Sequence, residues 1–383
     1  MRTINQSIWI QNHRDQIEAT YYHLHSIAEC SFQEIETTKF LCDQIEKMGI
    51  LYSTFSDHTG LVATWRGNEE GPVVGIRADL DALWQNVDGI WKANHSCGHD
   101  AHATMVLYAI QMLKELEYKP KGTLKVIFQP AEETGKGAKA FIDKGVIDDV
   151  DYLLGIHVRP IQELTLKQAA PAIYHGATKV LKGKVKGVQA HAARPHLGIN
   201  VLDSIAAMIQ AVNSVKMDPT ISSSAKVTMV QAGGKNMNII PDEAVFGIDL
   251  RAETNEAMEL LEEKVRKAVF SGVCFNGAEV EIETTVSMVA AKSNNWMETV
   301  VHEAIEEVLG SEGTFPPIKT PGGEDFHFYS VYRPEIKATM IGLGANLTPG
   351  LHHPNMNFDL LALHDGVQII AKSLVKIFEK QEN

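Results

Sequence analysis

The chain has 383 residues, 44% hydrophobic and 22% charged, the composition of an ordinary globular protein with material for two cores. Its formal net charge of −13 argues against non-specific nucleic-acid binding and against adhesion to an anionic membrane. No run approaches the ~18 apolar residues of a membrane span.

The opening MRTINQSIWIQNHRDQ lacks the apolar core of a signal peptide. Cysteines stand at 30, 42, 97 and 274 without a Cys-x-x-Cys pair, which suits the reducing cytoplasm. Ser31-Phe32-Gln33-Glu34 reads as a capping box, opening a helix that passes through Phe40, Leu41 and Ile45 and stops at Gly49. PVVGIRADLD (72–81), TLKVIFQPAEE (123–133) and YLLGIHV (152–158) are short apolar, β-branched runs. With helical segments between them they read as buried strands of a mostly parallel sheet. DAHATMVLYAIQMLKEL (100–116) supplies one such helix, with Asp100 as its N-cap.

From about 177 the texture changes to a β-α-β-β-α-β order: a strand, helix 198–216, strands 224–232 and 242–251, helix 255–271 and strand 278–288. That order suits a small ferredoxin-like insert. Residues 290–383 return to helix and strand and end in an amphipathic helix over 359–379. The expected architecture is α/β: a discontinuous domain of residues 1–176 and 290–383, with a mostly parallel central sheet flanked by helices. An α+β ferredoxin-like domain is inserted at 177–289.

Ionisable residues gather at the predicted strand ends: Asp79 and Asp81, Glu132 and Glu133, His157. In open α/β sheets ligands bind beyond the carboxyl ends of the strands. SCGHDAHA (96–103) adds Cys97, His99 and His102. Cys97 reads as a nucleophile with His99 or His102 as base, or as a metal ligand gripping one ion together with His99. No nucleophile-elbow pattern surrounds it. Of two adjacent glutamates, one can ligate metal while its neighbour faces the substrate as general base; in isolation they would also suit the first turn of a following helix. In LHHPN (351–355) either His352 or His353 could close the set. Thiolate, imidazole and carboxylate together suit zinc, manganese or cobalt better than calcium or magnesium. Two such ions would polarise a scissile carbonyl and lower the pKa of a water from ~16 towards neutrality.

These residues resemble the metal-dependent N-acyl-amino-acid amidohydrolases, the group of aminoacylases, hippurate hydrolases and plant indole-acetyl-amino-acid hydrolases, related to metallo-carboxypeptidases. The resemblance runs almost end to end through YHLHSIAECSFQE, RADLDAL, HSCGHDAH, FQPAEETGKGA, GIHVRP, HAARPH, MNIIPD, GGEDF and LHHP. It implies a di-metal catalytic domain whose ions (zinc, manganese, cobalt or nickel) are held by Cys97, His99, Glu133, His157 and His352. Glu132 would be the general base that activates water and passes a proton to the leaving amine. The insert would be the family's lid, often also its dimerisation surface, so that a homodimer is one arrangement the resemblance allows. His191 would reach the substrate oxyanion, and Asn238 and Arg251 the substrate carboxylate or oxyanion. Asp79, Asp81 and Asp100 would support the ligands from behind. The implied substrate is a small N-acyl amino acid, with no nucleic acid and no membrane. The same frame could serve a carboxypeptidase or dipeptidase; a cysteine-nucleophile hydrolase and a non-catalytic metal-binding protein are the remaining alternatives. Three departures bear on substrate preference: a short 82–96 segment, Trp84 where the family commonly has proline, and QAHAARPH where glycine commonly precedes the histidine.

Overall fold

The computed structural model describes residues 6–380. The first residues of the segment read as lacking a signal peptide lie outside the described residues. Two compact units are formed: Met1–Tyr174 with Lys292–Ile318 and Asp325–Asn383, and His175–Ala291 with Lys319–Glu324.

The first unit is built on a seven-stranded sheet. Its strands lie in the order Leu51–Thr54, Leu61–Arg66, Lys121–Gln129, Glu69–Asp79, Tyr152–Pro160, Lys337–Leu347, Ala169–Ala170. The four from Lys121–Gln129 to Lys337–Leu347 pair in parallel, and antiparallel strands close both edges. Val74, Ile76, Val126, Phe128, Leu154, Ile156 and Ile341 are fully buried, as the uninterrupted apolar runs require of strands covered on both faces. Helices Gln6–Ser26, His99–Glu115, Asn295–Leu309 and Leu361–Glu379 pack on one another and share this core. Among the described residues no helix is long and apolar enough to cross a membrane.

Register decides where the strand ends stand. Asp79 pairs with Gln129, Arg77 with Gly155, and His157 with Gly342. The carboxyl ends that carry Asp79, Gln129 and His157 therefore finish side by side, and the Glu132–Thr134 turn follows directly from one of them. The segment after Asp81 forms a β-hairpin, Leu83–Val87 against Ile90–Asn94. Its two-residue Asp88-Gly89 turn has left-handed φ at both positions, 53° and 88°, the conformation that matches the natural twist of a hairpin.

In the second unit the antiparallel sheet runs Ser223–Ala232, Glu243–Ala252, Ala177–Lys186, Glu279–Met288. Helices Val201–Asn213 and Asn255–Cys274 cover one face, and their Met208 and Val265 share a core with Leu181, Phe246 and Ile248 of the sheet. The β-α-β-β-α-β chain order with the first strand central is the ferredoxin-like arrangement.

The strand Lys337–Leu347 supplies a packing test. A methyl group on Gly344 would meet the Thr165 carbonyl oxygen at 1.9 Å, a backbone neighbour that cannot step aside, whereas one on Gly234 would meet nothing within 4 Å. Gly344→Ala is expected to destabilise by about 1–3 kcal/mol, with Gly234→Ala near neutral. Thermal unfolding of the two variants checks this, and equal melting temperatures would refute it.

Candidate metal centre

The centre begins at Gly98. Its φ of 86° turns the chain sharply between Cys97 and His99, and a Cβ there would sit 2.6 Å from a Val158 methyl. Glycine is thus the residue that lets the Cys97 loop press against the strand end bearing His157. Cys97 Sγ stands 3.6 Å from His157 Nε2. The other ring nitrogen of His157 donates to the Val158 carbonyl at 2.7 Å, which leaves the Nε2 lone pair facing the thiol. Burial, reinforced by His102 and Arg159, holds His157 well below its ordinary pKa and so keeps it neutral. Burial also pushes the Cys97 thiol up to about 12, with Glu133 adding to it. A neutral imidazole can ligate a cation directly, and the Cys97 thiol would do so on giving up its proton to become a thiolate.

His99 opens the helix His99–Glu115. Its Nδ1 donates to the Asp81 carbonyl at 2.8 Å and approaches Asp81 Oδ1 at 3.2 Å. Its Nε2 is buried with no hydrogen-bond partner. The ligand atoms of Cys97, His99 and His157 all lie within 4.8 Å of one another, and so do those of Cys97, Glu133 and His352. Cys97 belongs to both groups. Glu133 Oε1, 3.3 Å from His352 Nε2, is likewise buried without a hydrogen bond. His353 instead accepts the Asn355 amide at 3.1 Å, and of the two histidines it is His352 whose ring nitrogen lies within 4.8 Å of Cys97 and Glu133.

His99 Nε2, buried without a hydrogen bond, and Glu133 Oε1, buried beside the His352 ring, lie within a thiol–imidazole–carboxylate set, the arrangement a divalent cation satisfies. Unpaired buried polar atoms are otherwise costly, at about 1–3 kcal/mol each. The residues fit divalent transition metals.

The glutamates do not open the following helix, which starts at Gly137; they form a single 3-10 turn, Glu132–Thr134. Ala131 before them has a left-handed φ of 58°, a conformation that a residue with a side chain holds only under constraint. Two carboxylates impose it. Glu34 Oε1 accepts the Ala131 amide at 2.9 Å, while Asp81 Oδ1 and Oδ2 accept the amides of Glu132 and Glu133 at 3.0 Å each. Glu132 Oε1 also receives the Asp325 amide at 3.3 Å, and its Oε2 is 3.9 Å from His99 Nε2.

The capping box expected at 31–34 does not form. The helix begins at Ile35 without a side-chain cap from Glu34. Ser31 Oγ donates to Asp81 Oδ2 at 2.6 Å, and Glu34 reaches Ala131 and the Thr59 hydroxyl. Both residues serve the centre, and tertiary demand overrides the local rule. Asp100 is not the helix N-cap either: Gly98 holds that place, and Asp100 takes His25 Nδ1 at 2.7 Å and the Ala101 amide at 2.8 Å.

Asp79 holds His102 Nδ1 at 2.7 Å, and His102 Nε2 accepts the Val158 amide at 3.0 Å. Both nitrogens of His102 are thereby committed to joining the helix to the strand end of His157. Burial opposes ionisation of Asp79, but His99, Arg77 and His102 outweigh it and hold the carboxyl well below the usual range. Arg77, fully buried, bridges Asp79 at 2.5 Å and Asp325 at 2.7 Å and donates to Gln129 at 3.0 Å. The sequence predicts no role for Arg77, Gln129 and Asp325, and for Glu34 only that of a helix cap. The available signal was an arginine and a glutamine inside apolar strands, where burial demands partners.

His191, Asn238 and Arg251 belong to the second unit. His191 sits on a two-residue strand paired with Ile239–Ile240, and Ala192 N donates to the Asn238 carbonyl at 2.9 Å, so these two candidates are brought together. Arg251 commits Nε and Nη2 to the oxygens of Asp249 at 2.9 and 3.0 Å and Nη1 to Thr178 at 2.9 Å.

Glu34 yields a pH test in metal-free protein. Burial raises its carboxyl from 4.5 to about 7, against the hydrogen bond from Thr59. The folded state therefore binds a proton that the unfolded chain has released, and stability falls as pH rises from about 4.5 to 7. Glu34→Gln keeps an acceptor for Ala131 and removes the titration. Its stability across that window is expected to decline less than wild type by about 1–3 kcal/mol, read by denaturant unfolding in chelator. Parallel profiles would contradict the assignment.

Residues 75–376 match peptidase family M20/M25/M40. An N-acetylcysteine deacetylase of Bacillus subtilis is 30% identical over 373 residues, covering 93% of this chain and 95% of its own. The IAA-amino acid hydrolase ILR1-like 4 of Arabidopsis thaliana is 30% identical over 324 residues, 80% of this chain and 72% of its own. The crystal structure of the Bacillus subtilis YXEP protein, described as a dinuclear metal binding peptidase of the M20 family, matches with a TM-score of 0.81 at 27% identity. That match covers 96% of this chain and 99% of the other. Donor chemistry, fold and sequence agree: the chain belongs to peptidase family M20/M25/M40 and is a hydrolase of amide bonds.

Proposed function

We propose that the protein hydrolyses the amide bond of N-acyl amino acids, with Glu132 as general base and two divalent ions held by Cys97, His99 and His157 and by Cys97, Glu133 and His352. One observation carries the assignment of roles. Both glutamates lie within reach of His99, but Glu133 also joins Cys97 and His352, while the Glu132 carboxylate takes the Asp325 amide. Zinc, manganese, cobalt or nickel would polarise the substrate carbonyl there and make an attacking water more acidic. Glu132 would take the proton from that water and return it to the leaving nitrogen. Asp81 keeps the two glutamates in their separate directions and fixes the His99 tautomer, and Asp79 does the same for His102.

His191 is assigned to the substrate oxyanion. The Ala193 amide donates to its Nδ1 at 3.0 Å, which puts the neutral ring's proton on Nε2 as a donor. Asn238 is assigned a substrate contact, and Arg251 would reach a substrate carboxylate only by releasing Asp249. Relatives named for N-acetylcysteine and for IAA-amino acids support an acylated amino acid as substrate. Cys30, Cys42, Cys97 and Cys274 are all free, which supports a cytoplasmic setting. A homodimer through the insert is part of the same proposal. A cysteine-nucleophile hydrolase with His99 as its base would leave the Glu133 and His352 pair without a task.

Elemental analysis and hydrolysis of N-acetyl-, N-benzoyl- and dipeptide substrates test the reading. Glu132→Gln is expected to lower turnover by about 10²–10⁴-fold with metal content intact, whereas Cys97→Ala should lose metal. Activity that survives chelation but not thiol alkylation would give the site to a nucleophilic cysteine. Preference for dipeptides would favour a peptidase.

A further inference from the structure

We propose that the hairpin Leu83–Asn94 is a positioning clamp for His352 and that Gln85 is its acting residue, an inference that rests on His352 being a metal ligand. The argument starts from the backbone of His352. Its φ is 63°, left-handed without being glycine, so something outside the loop must hold it. Both of its backbone polar groups are held by the segment that leads into Cys97. Its amide donates to the Ser96 carbonyl at 2.7 Å, and its carbonyl accepts Gln85 Nε2 at 2.8 Å.

Gln85 is itself oriented. Asn94 Nδ2 donates to Gln85 Oε1 and to the Pro354 carbonyl, at 3.0 Å in each case. With Leu83 opposite Asn94 and Gln85 opposite Lys92, the two amide side chains lie diagonally on one face of the hairpin. Trp84 and Trp91 project from the other face and are exposed. The Asp88-Gly89 turn sets this register, and a slip by one residue would carry both amides away from the loop. The short segment thus couples the two loops that carry Cys97 and His352. Its neck pair, Thr348 with Asn357 at 3.0 and 2.9 Å, closes the 349–356 loop independently of the hairpin. Loss of the clamp therefore frees the His352 backbone without opening the loop.

Gln85→Glu keeps the size of the side chain and its acceptor for Asn94 but cannot donate to the His352 carbonyl. Cobalt titration of metal-free wild type, Gln85→Glu, Gln85→Arg, Trp91→Ala and His352→Ala, followed by visible absorption and by metal analysis after dialysis, separates the outcomes. Gln85→Glu is expected to bind the more weakly held ion about 10–100-fold less tightly, the range for removing a group that orients a ligand. The other ion should be unaffected, and kcat should recover in excess cobalt. Gln85→Arg, which restores a donor, should recover affinity, and Trp91→Ala should match wild type. If His352→Ala loses the weaker ion while Gln85→Glu binds both as wild type does, the clamp is overturned and the ligand assignment stands. If His352→Ala retains both ions, the ligand assignment falls and the clamp with it.

Discussion

The candidate centre depends on one carboxylate, Asp81, that spends its hydrogen bonds on the residues around it. Asp81 is buried two residues past the end of its strand and takes hydrogen bonds from His99 through its side chain and its backbone carbonyl, from the amides of Glu132 and Glu133, and from Ser31. It therefore ties together the helix start, the two-glutamate turn and the strand end. Burial opposes its ionisation, and His99, Ser31 and the Glu133 amide hold it ionised below the usual carboxylate range all the same. A charge-assisted acceptor of this kind keeps two adjacent glutamates pointing in different directions, which their side chains alone could not ensure.

Around this anchor the unit accepts an arrangement that stability alone would not favour. Arg77, Asp79 and Asp325 form a fully buried charge network, and burying ions is costly even when they are paired. What the network provides is direction. Asp79 orients His102, which holds the strand end of His157, and Asp325 presents its amide to Glu132. Cys97 and His157 are buried at the strand ends, whereas His352 is more than half exposed, so one side of the cluster is dry and the other open to solvent.

Much of this was legible in the sequence, for a physical reason. Strands covered on both faces must be apolar throughout, so an aspartate, glutamate or histidine at their ends stands out and marks the crevice. Partners brought from a distance were not legible: Arg77 meets Asp325 across 248 positions, and no local pattern encodes that contact. Ser31 and Glu34 show the opposite failure, since a valid local rule pointed to a helix cap while the fold claimed both side chains elsewhere. The hairpin is hidden in the sequence because LWQNV and IWKAN mix aromatic with polar residues and so lack apolar/polar alternation, although burial alternates along Leu83–Val87 and the Asp-Gly turn is present.

The order in which the chain is made follows from the strand topology. Strand Tyr152–Pro160 has Lys337–Leu347 as its parallel neighbour, and the whole second unit up to Ala291 is encoded between them. A ribosome therefore releases a complete ferredoxin-like unit while the larger sheet still lacks a strand and His352 has yet to be synthesised. Such long-range parallel pairing is slow to form. Until it does, Cys97 and Glu133 stand without His352, the last of that group to be made.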